Sequence, residues 1–205
     1  MNIEEQKSVW NNPNNWINEG HEWSEYFGTT DNLWNIIYPK FEKYLKDEVL
    51  EIAPGFGRIT KYLLEKTNNL SIIDLNEICI EKCKEKFGDK IKSYIVNDGK
   101  TLNFENESFD FIFSFDSFVH MTEDVIECYM KEINRTLKPN GCAFIHHSFM
   151  FNGSEEPTHN IGGRSNMNPE IFKTLVTKNN MNIVSQENFT ISNTVTDTIT
   201  IFKKD

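Results

Sequence analysis

The sequence lacks any apolar run approaching the roughly 20 residues that cross a bilayer, so no membrane-spanning helix is expected. It also lacks a lysine or arginine block to set against a formal charge of −10. Phosphate backbones should be repelled, and nucleic acid is not an expected partner, although a few local cations can still hold a small anion. Cys79, Cys83, Cys128 and Cys142 have no C-x-x-C spacing, which predicts buried thiols rather than a metal or disulfide framework. Met1 to Trp10 has none of the basic and apolar regions of a secretory signal, which predicts a cytoplasmic protein. Internal repeats and low-complexity tracts are missing too. What is present is core material: 38% apolar residues and sixteen Phe in a 205-residue chain, enough for one α/β domain and too little for two.

Two helical segments precede the sheet, one around Ser8 to Asn18 and one over Asp31 to Leu45, where Leu33, Trp34, Ile37, Phe41 and Tyr44 recur with helical spacing. Between them Trp23, Tyr26, Phe27 and Gly28 form an aromatic loop. From Glu48 onward strands and helices alternate. Strands are expected at Val49 to Ala53, Leu70 to Asp74, Ser93 to Val96, Phe109 to Phe115 and Gly141 to His147. Helices are expected at Arg58 to Lys66, Glu77 to Phe87, Glu123 to Leu137 and Pro169 to Lys178, with Thr122 as an N-cap. Such alternation predicts a mostly parallel, Rossmann-like sheet with helices on both faces. A Gly-, Ser-, Asn- and Pro-rich stretch from Phe149 to Pro169 predicts a mobile loop over the active face. Asn182 to Asn188 and Thr194 to Phe202 close the chain as an antiparallel hairpin. The parts are thus a helical cap over 1–46, a cofactor core over 47–148, and an acceptor loop, helix and hairpin over 149–205 of a single domain.

Chemistry concentrates first at Val49-Leu-Glu51-Ile-Ala53-Pro-Gly55-Phe-Gly57-Arg58, an apolar strand running through a Gly-rich turn into a helix. Glycines let a ligand approach the backbone, and the helix start offers free amides to an anionic group. Asp74 ends the next strand, where a carboxylate can accept from both ribose hydroxyls of an adenosine. A nicotinamide dinucleotide or S-adenosylmethionine fits this pair of features, and an Asp before a helix is also a common N-cap.

Glu51-Ile-Ala-Pro-Gly55-Phe-Gly57, Asp74, Asn97-Asp98-Gly99 and the strand ending in Phe115-Asp116 resemble the ordered motifs of class I S-adenosylmethionine-dependent methyltransferases, over roughly Glu48 to Ser148. That family's sheet has seven strands with the last inserted antiparallel, as the terminal hairpin would supply. Ala53 stands where the family's first glycine would be. The resemblance implies that Glu51 orients the turn and the methionine amino group, that Ala53 and Gly55 supply backbone contacts, and that Asp74 holds the ribose. It implies Leu75 on the adenine ring and Asp98 at the adenine amine, with Gly99 allowing the approach. Asp98-Gly99 equally reads as a plain turn. Trp23, Tyr26 and Phe27 would fold over the methionine end, or form the core of the cap.

A further likeness lies in Phe113-Ser-Phe-Asp116-Ser-Phe-Val-His120 and Phe144-Ile-His146-His147-Ser148, which are similar to stretches in small methyltransferases of bacterial surface-polysaccharide pathways. Those relatives carry a basic, His-containing segment where this chain has Thr158-His159-Asn-Ile-Gly-Gly-Arg164-Ser165. Asp116, His120, His146 and His147 all fall at strand carboxyl ends, where open α/β sheets bind ligands. An acceptor hydroxyl must lose a proton, and histidine suits that task near neutral pH. His120 or His146 is the expected base, with Asp116 holding the acceptor or the base. His146 and His147 otherwise merely end a strand. Arg58 and Arg164 are the cations expected to meet anions, with His147 and His159 beside the acceptor, a sugar or glycan-linked phosphate-type group. No metal is expected.

Two other classes compete. A nicotinamide oxidoreductase is permitted by the Gly turn and Asp74, but the only Tyr-x-x-x-Lys pair, Tyr62 and Lys66, sits in the first crossover helix. A non-catalytic nucleoside binder would have no need of His and Asp clustered at the strand ends.

Overall fold

The apolar runs between turn residues become strands because alternate side chains find opposite helical layers to pack against. A computed structural model describes residues 1–150, 163–193 and 195–205. Its sheet has seven strands in the order β3-β2-β1-β4-β5-β7-β6. These are β1 (Glu48–Ile52), β2 (Asn69–Asp74), β3 (Ser93–Val96), β4 (Phe109–Ser114), β5 (Leu137–Ser148), β6 (Met181–Thr190) and β7 (Thr196–Lys204). β1 to β5 pair in parallel, and β7 lies antiparallel between β5 and β6. This is the Rossmann-like sheet that the alternation predicts. Six α-helices among the described residues accompany it: α1 (Ile3–Trp10), α2 (Thr30–Phe41), α3 (Thr60–Leu64), α4 (Glu77–Phe87), α5 (Glu123–Thr136) and α6 (Pro169–Lys178).

Strand alternation divides the core into two layers. On one face Leu50, Ile52, Ile112 and Ile145 pack against Ile126, Met130 and Ile133 of α5 and Phe172 and Val176 of α6. On the other, Val49, Phe111, Phe113 and Phe144 meet Leu33, Ile37 and Phe41 of α2. The Phe41 ring is fully buried, with centroids 5.4, 5.3 and 4.9 Å from Phe111, Phe113 and Phe144. Its truncation to alanine should cost about 3–5 kcal/mol.

The N-terminal segment departs from expectation. Its first helix starts at Ile3 rather than Ser8, fixed by a capping box in which Asn2 accepts the Glu5 amide and the Glu5 side chain takes the Asn2 amide. Beyond Trp10 the chain turns through short 3-10 helices, Pro13–Asn15 and His21–Phe27, where the reading had a helix and a loop. Trp10, Trp16 and Trp23 pack edge to face, 5.0 to 5.9 Å between centroids, and roof the carboxyl ends of β1 and β4. Thr122 stands at the N-cap of α5 as predicted, but its hydroxyl caps no amide. No helix of the described residues is long and apolar enough to cross a membrane.

Candidate active site

Strand order reverses between β1 and β4, and the crevice outside their carboxyl ends is a cavity of about 390 Å³. Both strands leave the sheet through a left-handed residue that is not glycine: Ala53 has φ 57° and Asp116 has φ 61°. Such a backbone costs an L-residue about 1–2 kcal/mol, and residues so held cluster at functional sites. Both of these line the cavity.

At one end are two buried carboxylates. Glu51 accepts from the Thr60 hydroxyl at 2.6 Å, and burial, with Asp74 nearby, pushes its pKa up to about 8. Asp74 takes the Gly55 amide on Oδ2 at 3.2 Å and the Asn76 amide on Oδ1 at 2.8 Å. Burial outweighs these bonds and lifts it to about 6. Leu75 and Gly99 form the adjoining wall. A Cβ on Gly99 would lie 3.2 Å from both Leu75 Cδ1 and Ile3 Cγ1 on a left-handed backbone of φ 81°, so a larger residue there would be strained and would press on both neighbours.

The other end is a chain of charges. Arg58 donates to Asp116 and, at 2.9 Å, to Ser24 Oγ, while its guanidinium lies between the Trp23 and Phe115 rings. Burial raises the Asp116 carboxyl, but the Arg58 charge and His146 outweigh it and hold it well below the usual carboxylate range. His146 is fully buried, with Nδ1 3.2 Å from Asp116 Oδ1 and Nε2 3.3 Å from Asp197 Oδ2, the latter an ion-pair distance without hydrogen-bond alignment. Neutral, it accepts the Asp116 amide on Nδ1 at 3.2 Å. Burial disfavours its charged form, yet the two carboxylates prevail and raise its pKa. Arg164 completes the chain, binding Asp197 through Nε and Nη2 at 2.8 and 2.6 Å.

His120 stands beside this chain and lines the cavity. Its Nδ1 lies 3.2 Å from the Gly163 carbonyl, which can only accept, so the ring hydrogen sits on Nδ1 and Nε2 carries the lone pair. Burial lowers its pKa, which keeps the imidazole neutral.

Of the residues singled out in the sequence, the cavity brings together Glu51, Ala53, Gly55, Arg58, Asp74, Leu75, Gly99, Phe115, Asp116, His120 and Arg164. Others fall elsewhere. Gly57 faces Phe87 of α4, where a Cβ would sit 2.5 Å from the ring, so its role is helix packing. Asp98 turns back on its own loop, taking the amides of Lys100 and Thr101, as the plain-turn reading had it. Tyr26 is half exposed and packs on Phe27. His146 lies behind Asp116 rather than in the cavity, which removes it as a base in contact with an acceptor. His147 points to the opposite face, stacked 3.8 Å from Phe172 and bonded to Thr200, and burial drops its pKa to about 3. His159, and most of the stretch read as a mobile loop, lies outside the described residues. Among the described residues no three His, Cys, Asp or Glu side chains converge as a metal site.

Sequence reasoning missed Trp10, Trp16, Asn76 and Tyr129, which also line the cavity. Trp10 and Trp16 carry no periodic signal, whereas Trp23, singled out with the aromatic loop, does line the cavity. Asn76, two residues beyond Asp74, was legible from its place after the strand.

Residues 49–141 match the family described as methyltransferase domain. Ribosomal RNA small subunit methyltransferase A of Ralstonia nicotianae is 28% identical over 93 residues, 43% of this chain. The match spans 32% of that protein's length. Phosphoethanolamine N-methyltransferase 1 of Triticum aestivum is 28% identical over 125 residues, 57% of this chain and 25% of that protein. A solved SAM-dependent methyltransferase of Leishmania major superposes with a TM-score of 0.72 at 15% identity, covering 98% of this chain and 81% of that one, a likeness of fold. The cofactor of the matched domain is S-adenosylmethionine. The cavity fits it: Gly55 and Gly99 line it with bare backbone, the buried carboxylates Glu51 and Asp74 face it, and the buried Asn76 Oδ1 has no partner within the protein.

Proposed function

We propose that this chain, whose residues 49–141 form a methyltransferase domain that takes S-adenosylmethionine, methylates an oxygen of a small polar acceptor with His120 as the base. When bound, the cofactor supplies a methyl group on a positively charged sulfur. Glu51 and Asp74 bind its amino and ribose groups, and Leu75 packs on its adenine. His120 Nε2 takes the hydroxyl proton as the O–CH3 bond forms and the S–CH3 bond breaks, leaving S-adenosylhomocysteine. Asp116, which favours the charged form of His120, steadies the imidazolium until it releases its proton to water.

The observation that carries this reading is His120 itself, a neutral imidazole in the cavity wall with its tautomer set by Gly163. A sugar hydroxyl is the acceptor for which His120 acts as base; on a glycan-linked phosphate-type oxygen, already ionised, His120 and Arg164 would bind the anion instead. The likeness of residues 113–120 and 144–148 to surface-polysaccharide methyltransferases supports a glycan acceptor, as does Arg164 in the same wall. The tryptophan roof and the charge of −10 favour a small molecule over a nucleic acid. The domain match favours methyl transfer over hydride transfer or mere nucleoside binding.

The test is methyl-labelled cofactor with a panel of nucleotide sugars, glycan fragments and amines, run with unaltered protein and with His120→Ala. Oxygen labelling that falls about 10²–10⁴-fold in the variant, at unchanged cofactor affinity, is expected. Full turnover in His120→Ala would remove the base, and labelling of amines alone would move the reaction to nitrogen.

A further inference from the structure

Asparagine at a helix N-cap ordinarily spends its side-chain oxygen on a helix amide. Asn2 does so at α1, accepting from Glu5 at 3.0 Å, and Asn168 does so at α6, accepting from Ile171 at 2.9 Å. Asn76, the N-cap of α4, makes no such bond. Its Oδ1 is buried and has no partner, although the residue is only 5% exposed. Its Nδ2 lies 3.5 Å from Asp74 Oδ1, its backbone amide binds the same oxygen, and the residue lines the cavity beside Leu75. Buried acceptors are almost always satisfied, so an orphan in a cavity wall marks the place of a missing donor.

Asp74 alone is a crowded acceptor. Each of its oxygens already takes one backbone amide, from Gly55 and from Asn76. The two adjacent hydroxyls of a ribose present two donors, and Asp74 with Asn76 presents two acceptor groups side by side.

We propose that Asn76 Oδ1 accepts a hydrogen bond from one ribose hydroxyl of the bound adenosyl group, so that Asp74 and Asn76 read the ribose together. The helix gives up a side-chain cap at α4 to do this. The inference rests on the cofactor-binding reading above and adds to it a second ribose contact.

Calorimetric titration with S-adenosylhomocysteine tests it on unaltered protein, Asn76→Ala and Asn76→Ser, with adenosine, 2′-deoxyadenosine, 3′-deoxyadenosine and inosine as competitors. Both variants should bind S-adenosylhomocysteine about tenfold more weakly, the scale of one lost buried hydrogen bond. Both should also lose the preference for adenosine over one of its two deoxy forms while keeping it over the other. Asn76→Ser restores a good capping residue and should melt no lower than the unaltered protein, which separates lost binding from a damaged helix. Unchanged affinity in both variants would overturn the inference, as would loss of discrimination against inosine in place of a deoxy form, which would assign Asn76 to the adenine amine. Failure of the unaltered protein to bind S-adenosylhomocysteine would bring down the cofactor reading itself, and this inference with it.

Discussion

Asp74 ends β2, Asp116 lies two residues beyond β4, and both line the same cavity, yet they are pushed in opposite directions. Burial takes Asp74 up to about 6, because its hydrogen-bond partners are backbone amides and the uncharged Asn76 side chain. Asp116 is held well below the usual range, because Arg58 and His146 overcome the same burial. One end of the cavity is therefore built from carboxylates ready to accept a proton or a donor, and the other from charges fixed by one another. The end proposed for the cofactor comes from residues close in sequence, Glu51 through Gly99. The end proposed for the acceptor is lined by Trp23, Arg58, Asp116 and Arg164, with His146 and Asp197 behind them, on parts of the chain far apart.

The largest expected effect at the acceptor end comes from removing its cation. Arg58→Met leaves Asp116 without its guanidinium partner and should cost about 3–5 kcal/mol in urea unfolding. A loss below about 1 kcal/mol would mean that the charge chain is not held together by Arg58.

The cofactor end is sharpened by pH. Glu51 binds its proton more tightly folded, at about 8, than unfolded, at 4.5. Its contribution is therefore fully present below 4.5 and is lost as pH rises toward 8. His146, raised as well, acts in the same sense above its ordinary 6.5. Between pH 6.5 and 8 the ligand-free protein should lose stability at up to about 1.4 kcal/mol per pH unit for each proton involved. Glu51→Gln should flatten that slope, and a slope unchanged in the variant would assign it elsewhere. His120 and His147, both lowered, act below 6.5 and leave this window clear.

The smallest effect tests the strained strand end. Ala53→Gly relieves a left-handed alanine at the cost of a freer unfolded chain, for a net gain of about 0.5–1 kcal/mol. A loss of stability would mean that the alanine methyl packs better than its backbone suffers.

The same contrast explains what the sequence made legible. Local signals held: Glu77–Phe87, Ser93–Val96 and Pro169–Lys178 have the predicted bounds, because each sits between its own cap or turn residues. The Gly-rich turn and Asp74 were readable for the same reason. Asn2-Ile-Glu-Glu5 carried a start signal for α1 that the apolar spacing further along obscured. What could not be read depends on tertiary pairing. His146 meets Asp197 only because β7 runs antiparallel beside β5, placing His146 opposite Ile199 and Ser148 opposite Asp197. The opposite facing of His146 and His147, by contrast, was legible, because neighbouring side chains in a strand point to opposite faces. Gly57 belongs to Phe87, a contact that no motif announces.

The central claim is that the cavity under the tryptophan roof takes S-adenosylmethionine through Asp74. Calorimetric titration of the protein and of Asp74→Ala with S-adenosylmethionine, S-adenosylhomocysteine and NAD tests it most directly. The account predicts that both sulfur ligands bind the unaltered protein, that NAD does not, and that affinity falls about 30- to 100-fold in the variant, the scale of hydrogen bonds to a charged acceptor. Binding of NAD alone, or sulfur-ligand affinity indifferent to Asp74, would contradict it.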